Sequence, residues 1–357
     1  MEDCSKGGQI MHGLRRMAAL LIAVLLLVLA VPAVSEAGLV SPEEIRAGDV
    51  LCFGTPEEAC GYDGKWLVLD GAHTNMGTDG IFLVSLNLIG GENGEPLVFR
   101  QLPGDPSVSF SDRGEAYAAE HPGATDYRGS DIQSWCSAFC EQHFTQAEQN
   151  AILPAYKSDD AIVIPGFTIP LPGAANGTVD FDPAENVLSG DRLFLPSVEE
   201  ITNPAYGFAD ARSRVALYKG EASGYWLRSP HIPTFPLDVG FVFPFGAVMD
   251  YPVNAKSMFE MTSFARPACN LDKDAIEGLE LLSEENGIRV FRVTFRGGDQ
   301  NIRTYDTSLP VIGDVMDLGK AFSTAVLIIL FVLLAILALI VWLIVRSVRK
   351  KRKAKTA

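Results

Sequence analysis

The sequence predicts an α+β protein with one loop-rich extracellular domain and one C-terminal transmembrane helix. Short apolar runs at 50–53 and 66–69, set between Gly, Asp and Pro clusters, are typical of β-strands. Capping patterns that begin at Ser130, Thr145 and Ser197 each predict the start of a helix. Residues 321–345 carry no charge, and a helix of that length crosses a hydrocarbon core of about 30 Å.

The composition divides the chain into five parts. These are a signal peptide at 1–37, an α+β domain at 38–275, a β-strand and stalk at 276–320, a transmembrane helix at 321–345 and a basic cytoplasmic tail at 346–357. The signal peptide is indicated by Arg15 and Arg16, the apolar run after them, and the small residues before Gly38. An uncleaved signal anchor is the alternative interpretation.

The flanks of the apolar run indicate its orientation. The tail holds seven Lys and Arg residues, and an excess of basic residues marks the cytoplasmic side of a span. We therefore expect a single-pass type I protein of the cell membrane, with its domain outside and residues 321–345 in the lipid bilayer. Residues 309–313, Leu-Pro-Val-Ile-Gly, resemble a degenerate sortase signal, so covalent attachment to the cell wall is the alternative to a retained anchor.

The charge of the extracellular part limits its partners. The chain has 29 basic and 44 acidic residues, of which residues 1–37 hold three of each and the tail holds seven basic ones. The part between them therefore has 19 basic and 41 acidic residues, a net charge of −22. This acidity argues against nucleic acid as a partner. It is compatible with cations, basic proteins or a carbohydrate as the extracellular ligand, and most simply with solubility.

The cysteines favour a packed core over a disulfide framework. Five remain after the signal peptide, and an odd number cannot pair fully within one chain. Cys136, Cys140 and His143 are spaced to share a helix face, as metal ligands do. A structural zinc site needs four ligands and no second pair is evident, so we predict core packing there. The sequence shows no recognised catalytic or cofactor motif, and we predict no catalytic residue, metal or cofactor.

The stretch 224–230, Gly-Tyr-Trp-Leu-Arg-Ser-Pro, places two large aromatic residues, a leucine and an arginine next to one another. Trp226 favours burial, whereas Arg228 needs a partner or water. The pattern therefore predicts a strand that enters the core and carries one charge to be paired.

A series of motifs along residues 48–271 resembles an uncharacterised domain family found in surface proteins of anaerobic Gram-positive gut bacteria. The motifs are W-x-V-L at 66–69, S-x-I-x-x-W at 130–135, F-x-x-x-E at 144–148, F-L-x-S-x-E-E at 194–200, W-L-R-S-P at 226–230 and R-P-A-x-N-L at 266–271. The family is distantly similar to the sulfatase-modifying-factor and C-type-lectin-like fold. That resemblance implies an α+β domain with much loop, and it implies no activity.

The motifs also supply the candidate site residues. We predict a structural network of arginines and carboxylates, because a buried arginine needs a carboxylate partner. Its members are Arg228, Arg266, Glu199, Glu200 and Asp131. The alternative is a polar ligand site lined by Trp226, Arg228 and Glu200.

The function that these observations favour is a ligand-binding or adhesion module on the cell surface, with an unknown carbohydrate or protein ligand. A degenerate or novel enzyme on a sulfatase-modifying-factor-like fold is one alternative. A structural component of the cell envelope is another.

Overall fold

The computed structural model describes residues 40–102, 120, 122–165, 178–181, 187–231, 237–253, 257–258, 261–298 and 303–310. The predicted signal peptide, transmembrane helix and basic tail lie outside the described residues, as do positions 311–313 of the sortase-like motif. Within the described ranges, no helix has the length and apolarity needed to span a membrane.

Strands dominate the part of the chain that the structure describes. In chain order they are β1 (Val50–Cys52), β2 (Lys65–Asp70), β3 (Ile81–Ser85), β4 (Ile152–Leu153), β5 (Ala155–Lys157), β6 (Ile162–Pro165), β7 (Thr178–Phe181), β8 (Leu188–Asp191), β9 (Leu193–Phe194), β10 (Ala216–Tyr218), β11 (Glu221–Pro230), β12 (Asp238–Val242), β13 (Val248–Pro252), β14 (Ser257–Met258), β15 (Met261–Phe264), β16 (Ala268–Leu271), β17 (Ile276–Glu285) and β18 (Ile288–Phe295). The α-helices are α1 (Asp131–His143), α2 (Gln146–Ala151), α3 (Val198–Ile201) and α4 (Ala211–Arg214), and short 3₁₀ helices occur at Pro42–Glu44, Pro204–Tyr206 and Lys273–Ala275.

The larger sheet has eight strands and curls into a half-barrel. Its order is β17-β18-β1-β2-β3-β16-β4, with β9 also paired to β16. Neighbouring strands are antiparallel except β1 and β18, which run parallel with Val50 opposite Val290. Every residue of β1, β3 and β16 is buried, as expected for strands that are covered on both faces.

A second sheet of six strands contains the stretch 224–230. Its order is β13-β12-β11-β15-β14, and β10 pairs with β11. Strand β11 is ten residues long and is buried from Ser223 to Pro230, so the predicted core strand at Trp226 is confirmed. The chain passes from this sheet to the larger one between β15 and β16, where the carbonyl of Pro267 accepts from the Ser85 N–H at 2.8 Å.

Two small sheets lie on the chain excursion between β4 and β9. One pairs β5 with β8 and the other pairs β6 with β7, both antiparallel. The sequence predicts mostly loop here, because prolines, glycines and asparagines interrupt the apolar pattern.

The three predicted helix starts are confirmed. The Ser130 hydroxyl accepts from the Gln133 N–H at 3.1 Å at the start of α1. Thr145 and Ser197 form complete capping boxes at α2 and α3, each with a glutamate three residues on. These caps satisfy backbone N–H groups that the first helical turn leaves without a partner.

Residues 276–298 and 303–310 are integrated into the domain, whereas the sequence suggested an appended strand and a stalk. Strands β17 and β18 are members of the larger sheet, and β18 lies directly beside β1. Farther on, the Tyr305 hydroxyl donates to the Gly54 carbonyl at 3.0 Å, and Lys65 Nζ donates to the Ser308 carbonyl at 2.7 Å. Leu309 packs against the core beneath β1. Without β18, the edge of β1 would be open, so residues past 275 complete the larger sheet.

Candidate functional site

Arg228 lies at the centre of a buried group of charged side chains. Strand β11 places it inside the domain, with none of its surface exposed. Its Nη2 donates to both carboxylate oxygens of Asp159, at 2.9 and 2.7 Å. Its Nη1 donates to Glu200 Oε2 at 2.7 Å and to the Leu195 carbonyl at 2.6 Å. The guanidinium thus joins three separate segments of the chain.

Glu200 is held by a cap and by two cations. Its Oε2 accepts from the Ser197 N–H at 2.9 Å, which closes the capping box of α3. Its Oε1 accepts from Asn75 Nδ2 at 2.8 Å and from Lys157 Nζ at 3.2 Å. Burial alone would raise the pKa of Glu200, but the charges of Arg228 and Lys157 outweigh burial and lower the pKa to about 2.

Lys157 forms the outer end of this group. Its Nζ lies 2.6 Å from Asp159 Oδ1 and 3.4 Å from Glu199 Oε2, and 16% of its side chain is exposed. Burial by itself would lower the pKa of Lys157, but the charges of Glu200 and Asp159 raise it above its ordinary value. The amine therefore stays protonated at neutral pH, which makes it a poor nucleophile.

We call the side chains of Lys157, Asp159, Glu199, Glu200 and Arg228 the charge cluster. Two cations and three carboxylates give it a formal charge of −1. Glu199 supplies the excess, and its side chain is the most exposed of the five at 39%. Burial raises the pKa of Glu199, while Lys157 acts in the opposite direction. The interior of the cluster is thus neutralised, and its uncompensated charge lies at the surface.

Two members of the predicted network lie elsewhere. Arg266 Nε donates to the Ser85 carbonyl at 3.1 Å, and its Nη1 donates to the Tyr225 hydroxyl at 3.3 Å. Its guanidinium also lies over the rings of Tyr225 and Phe208. Asp131 Oδ2 accepts from the Gln101 N–H at 2.6 Å and is not part of the charge cluster. Arg266 therefore ties the two large sheets together at their crossing.

Trp226 is buried in an aromatic group and does not contact solvent. Its Nε1 donates to the Leu97 carbonyl at 2.8 Å. Its ring packs against Phe99, Phe241 and Tyr251. Trp226, Arg228 and Glu200 are each at most 1% exposed, so a ligand could touch them only by displacing packed residues.

Sequence reasoning missed Lys157, Asp159 and Asn75. The first two lie at and just after the end of β5, in a stretch interpreted as loop. Asn75 lies in the turn between β2 and β3, where it accepts from Asn270 Nδ2 at 2.8 Å. Asp159 is 69 residues from Arg228 along the chain, and no local pattern marks such a partner.

The cysteines are free and buried in the described part of the chain. Burial raises the pKa of Cys136 to about 12, so its thiol stays protonated. His143 stacks on Phe139 with ring centroids 4.1 Å apart. Among the residues that the structure describes, no group of three or more His, Cys, Asp or Glu side chains is arranged to hold a metal ion.

A carboxyl pair lies in the second sheet, outside the charge cluster. Asp238 on β12 and Asp250 on β13 are hydrogen-bonded through their side chains. Burial, and then the charge of Asp250, raise the pKa of Asp238 to about 8. Asp238 therefore holds a proton near neutral pH, because burial disfavours its charged form and the adjacent Asp250 carboxylate repels that form further.

Comparison with known families agrees with the expected membership of an uncharacterised family. Residues 106–273 match the family described as a domain of unknown function, DUF6273. No curated protein and no solved structure matches the chain. The matched range includes β4 to β16 and all five members of the charge cluster. The chain therefore carries a DUF6273 domain over residues 106–273, a domain of unknown function.

Proposed function

We propose that this protein is a single-pass cell-membrane protein that displays an extracellular ligand-binding domain. The apolar run at 321–345 and the basic tail after it support the anchor and its orientation. The lipid bilayer is then its partner through that run. Treatment of cells with detergent or with a wall-degrading enzyme tests the anchor, since a retained span needs detergent for release and a sortase-linked protein needs the enzyme.

The observation that carries the binding role is an exposed aromatic side chain directly beside the charge cluster. Tyr156 precedes Lys157 on β5 and is 65% exposed. The large apolar side chains that the described residues expose are Tyr156, Val163 and Val187, and all three belong to the excursion between β4 and β9. Aromatic residues such as tyrosine are enriched at interaction sites relative to the rest of a protein surface.

The charge cluster explains how the segment around Tyr156 is made rigid. Lys157 and Asp159 flank the end of β5 and are bound from the interior by Glu200 and Arg228. The segment that carries Tyr156 is therefore ordered before a ligand arrives, which lowers the entropic cost of binding. In this role the buried ions position the binding surface and do not touch the ligand.

A binding screen tests the proposal. The full-length protein and its Tyr156→Ala variant are compared against arrays of glycans and of extracellular proteins. We expect at least one ligand that the wild type retains and the variant loses. A screen in which neither protein binds a ligand would favour a structural envelope component, and a ligand that both bind equally would contradict a site at Tyr156.

The finer description of the fold is part of this proposal. A likeness to the sulfatase-modifying-factor and C-type-lectin-like fold is supported by the motif order, with W-L-R-S-P before R-P-A-x-N-L. An enzyme on such a fold is the competing candidate. An enzyme would need a catalytic side chain in the domain. The raised pKa of Lys157 keeps its amine protonated, so it is unsuited to act as a nucleophile.

A further inference from the structure

We infer that the ligand is a cationic polypeptide segment, rich in lysine or arginine, that docks on the outer face of the β5–β8 strand pair. This inference rests on the proposed binding role and adds the chemistry of the partner. It is carried by an exposed aromatic ring, an apolar neighbour and an asymmetric distribution of charge along one strand pair.

Strand pairing places the apolar groups on one face. Burial along β5 alternates, with Ala155 buried, Tyr156 exposed and Lys157 turned towards the charge cluster. Tyr156 lies opposite Ser189 on β8, and Val187 is two residues before Ser189. Cross-strand partners point to the same side, so Tyr156 and Ser189 share the outer face, and the exposed Val187 directly precedes β8. We call these three residues the Tyr156 face.

The ring of Tyr156 lies close to Gly190 on the neighbouring strand. A Cβ placed on Gly190 would lie only 3.1 Å from the Tyr156 hydroxyl oxygen, so the side chain runs close over that glycine. A larger residue at 190 would displace the ring. Gly190 also has a φ of 106°, which favours glycine at this position. The tyrosine is thus supported from below while 65% of its surface is open to solvent.

Charge is distributed unequally between the two strands of the face. At the end where β5 terminates, Asp160 is exposed, and its N–H lies 3.4 Å from Glu199, the excess carboxylate of the charge cluster. On the neighbouring strand, directly across from Tyr156, Arg128 Nη2 donates to the Ser189 hydroxyl at 2.9 Å. A lysine or arginine of a partner would therefore lie over Tyr156 with its charge towards Asp160 and Glu199.

Two general properties favour a cationic polypeptide over a neutral ligand. The face of a tyrosine ring attracts lysine and arginine side chains, whose methylene stems can also cover an apolar neighbour such as Val187. The extracellular part carries a net charge of −22, which raises the association rate of a positively charged partner. This net charge would not raise the association rate of a neutral sugar.

The experiment measures binding of three labelled probes to the purified full-length protein in detergent. The probes are a lysine decamer, a glutamate decamer and a neutral glucose oligomer, each followed by fluorescence anisotropy. We expect the lysine decamer to bind, with affinity that falls as salt shortens the Debye length below about 10 Å. We expect the other two probes not to bind.

Variants separate a specific site from general attraction to an acidic protein. Tyr156→Ala should weaken binding of the lysine decamer about tenfold, whereas Tyr156→Phe should retain it, because the ring face is kept. Asp160→Asn should weaken it by about two- to fivefold and Arg128→Gln should strengthen it by a similar factor, as for exposed charges. Glu285→Gln in the β17–β18 hairpin changes the net charge equally and should have little effect.

The outcomes decide the inference and the proposed function separately. If Tyr156→Ala and Glu285→Gln bind the lysine decamer like the wild type, the inference is wrong. If the glucose oligomer binds in a Tyr156-dependent way and the lysine decamer does not, the binding role stands and the cationic partner is overturned. If no probe binds and the array screen also shows no Tyr156-dependent ligand, both are overturned.

Discussion

Replacing Arg228 with leucine tests whether the charge cluster organises this domain. The substitution removes four hydrogen bonds of 2.6 to 2.9 Å from a side chain with no exposed surface. Asp159 and Glu200 stay buried, and Lys157 becomes the sole cation of the cluster, whose formal charge falls from −1 to −2. Removing one partner of a buried ion pair costs about 3–5 kcal/mol, so we expect a loss of that size in the free energy of unfolding.

Urea unfolding followed by tryptophan fluorescence measures this loss, because Trp226 is buried two residues from the substitution. Arg212→Leu is the matched control, since Arg212 is exposed, and it should change the free energy of unfolding by at most about 0.5 kcal/mol. The double variant Arg228→Leu with Glu200→Leu should recover part of the loss, because it leaves Lys157 and Asp159 as a balanced pair.

The pH dependence gives a second check on the same variant. The lowered pKa of Glu200 stabilises the wild type above about pH 4, and that contribution is lost as the pH falls towards about 2. In Arg228→Leu, Glu200 loses its main cation and protonates at higher pH. The difference between the two proteins should therefore shrink as the pH is lowered. A loss below about 1 kcal/mol at neutral pH, or one that Arg212→Leu matches, would refute the structural role.

Three further predictions concern other parts of the domain. The pKa of Asp238 is raised to about 8, so the folded state holds a proton that the unfolded state releases near pH 4. The free energy of unfolding should therefore fall as the pH rises between these two values. In thermal unfolding, Asp238→Asn should flatten this dependence on pH. Gly246→Ala should lower the free energy of unfolding in urea by more than about 2 kcal/mol, because its φ is +81° and a Cβ would lie 1.6 Å from a backbone oxygen of α4. Gly287 has the same φ but open space around it, so Gly287→Ala should lower it by only about 1 kcal/mol. Arg303→Ala should cost about 1–3 kcal/mol and speed proteolysis after residue 298, because it leaves buried Glu148 without its cation; unchanged proteolysis would contradict this.

Local features of the fold follow from the sequence because their partners are close along the chain. The caps at Ser130, Thr145 and Ser197 join groups three residues apart, and residue type alone indicates them. The strand at Trp226 is predicted by its dense apolar pattern and by the proline that ends it. The acidity of residues 38–345 is a property of composition and needs no structure.

The pairing of Arg228 with Glu200 could be anticipated, since a buried arginine needs a carboxylate and the two lie in neighbouring motifs. Its pairing with Asp159 could not, because that aspartate lies in a stretch without strand or helix periodicity. Arg266 and Asp131 show the opposite case. Both belong to strong motifs, yet the sheet crossing and the start of α1 hold them away from the cluster.

By itself, then, the sequence determined the helix starts, the core strand around Trp226, the charge of the domain and the presence of a domain of unknown function. Only the tertiary structure decided which carboxylates meet Arg228, that β18 pairs with β1, and that Tyr156 is exposed beside the charge cluster. The physical reason is the separation along the chain of the residues that interact. Caps and periodicity act over a few residues, whereas ion pairs and strand pairing join residues whose separation along the chain carries no local signal.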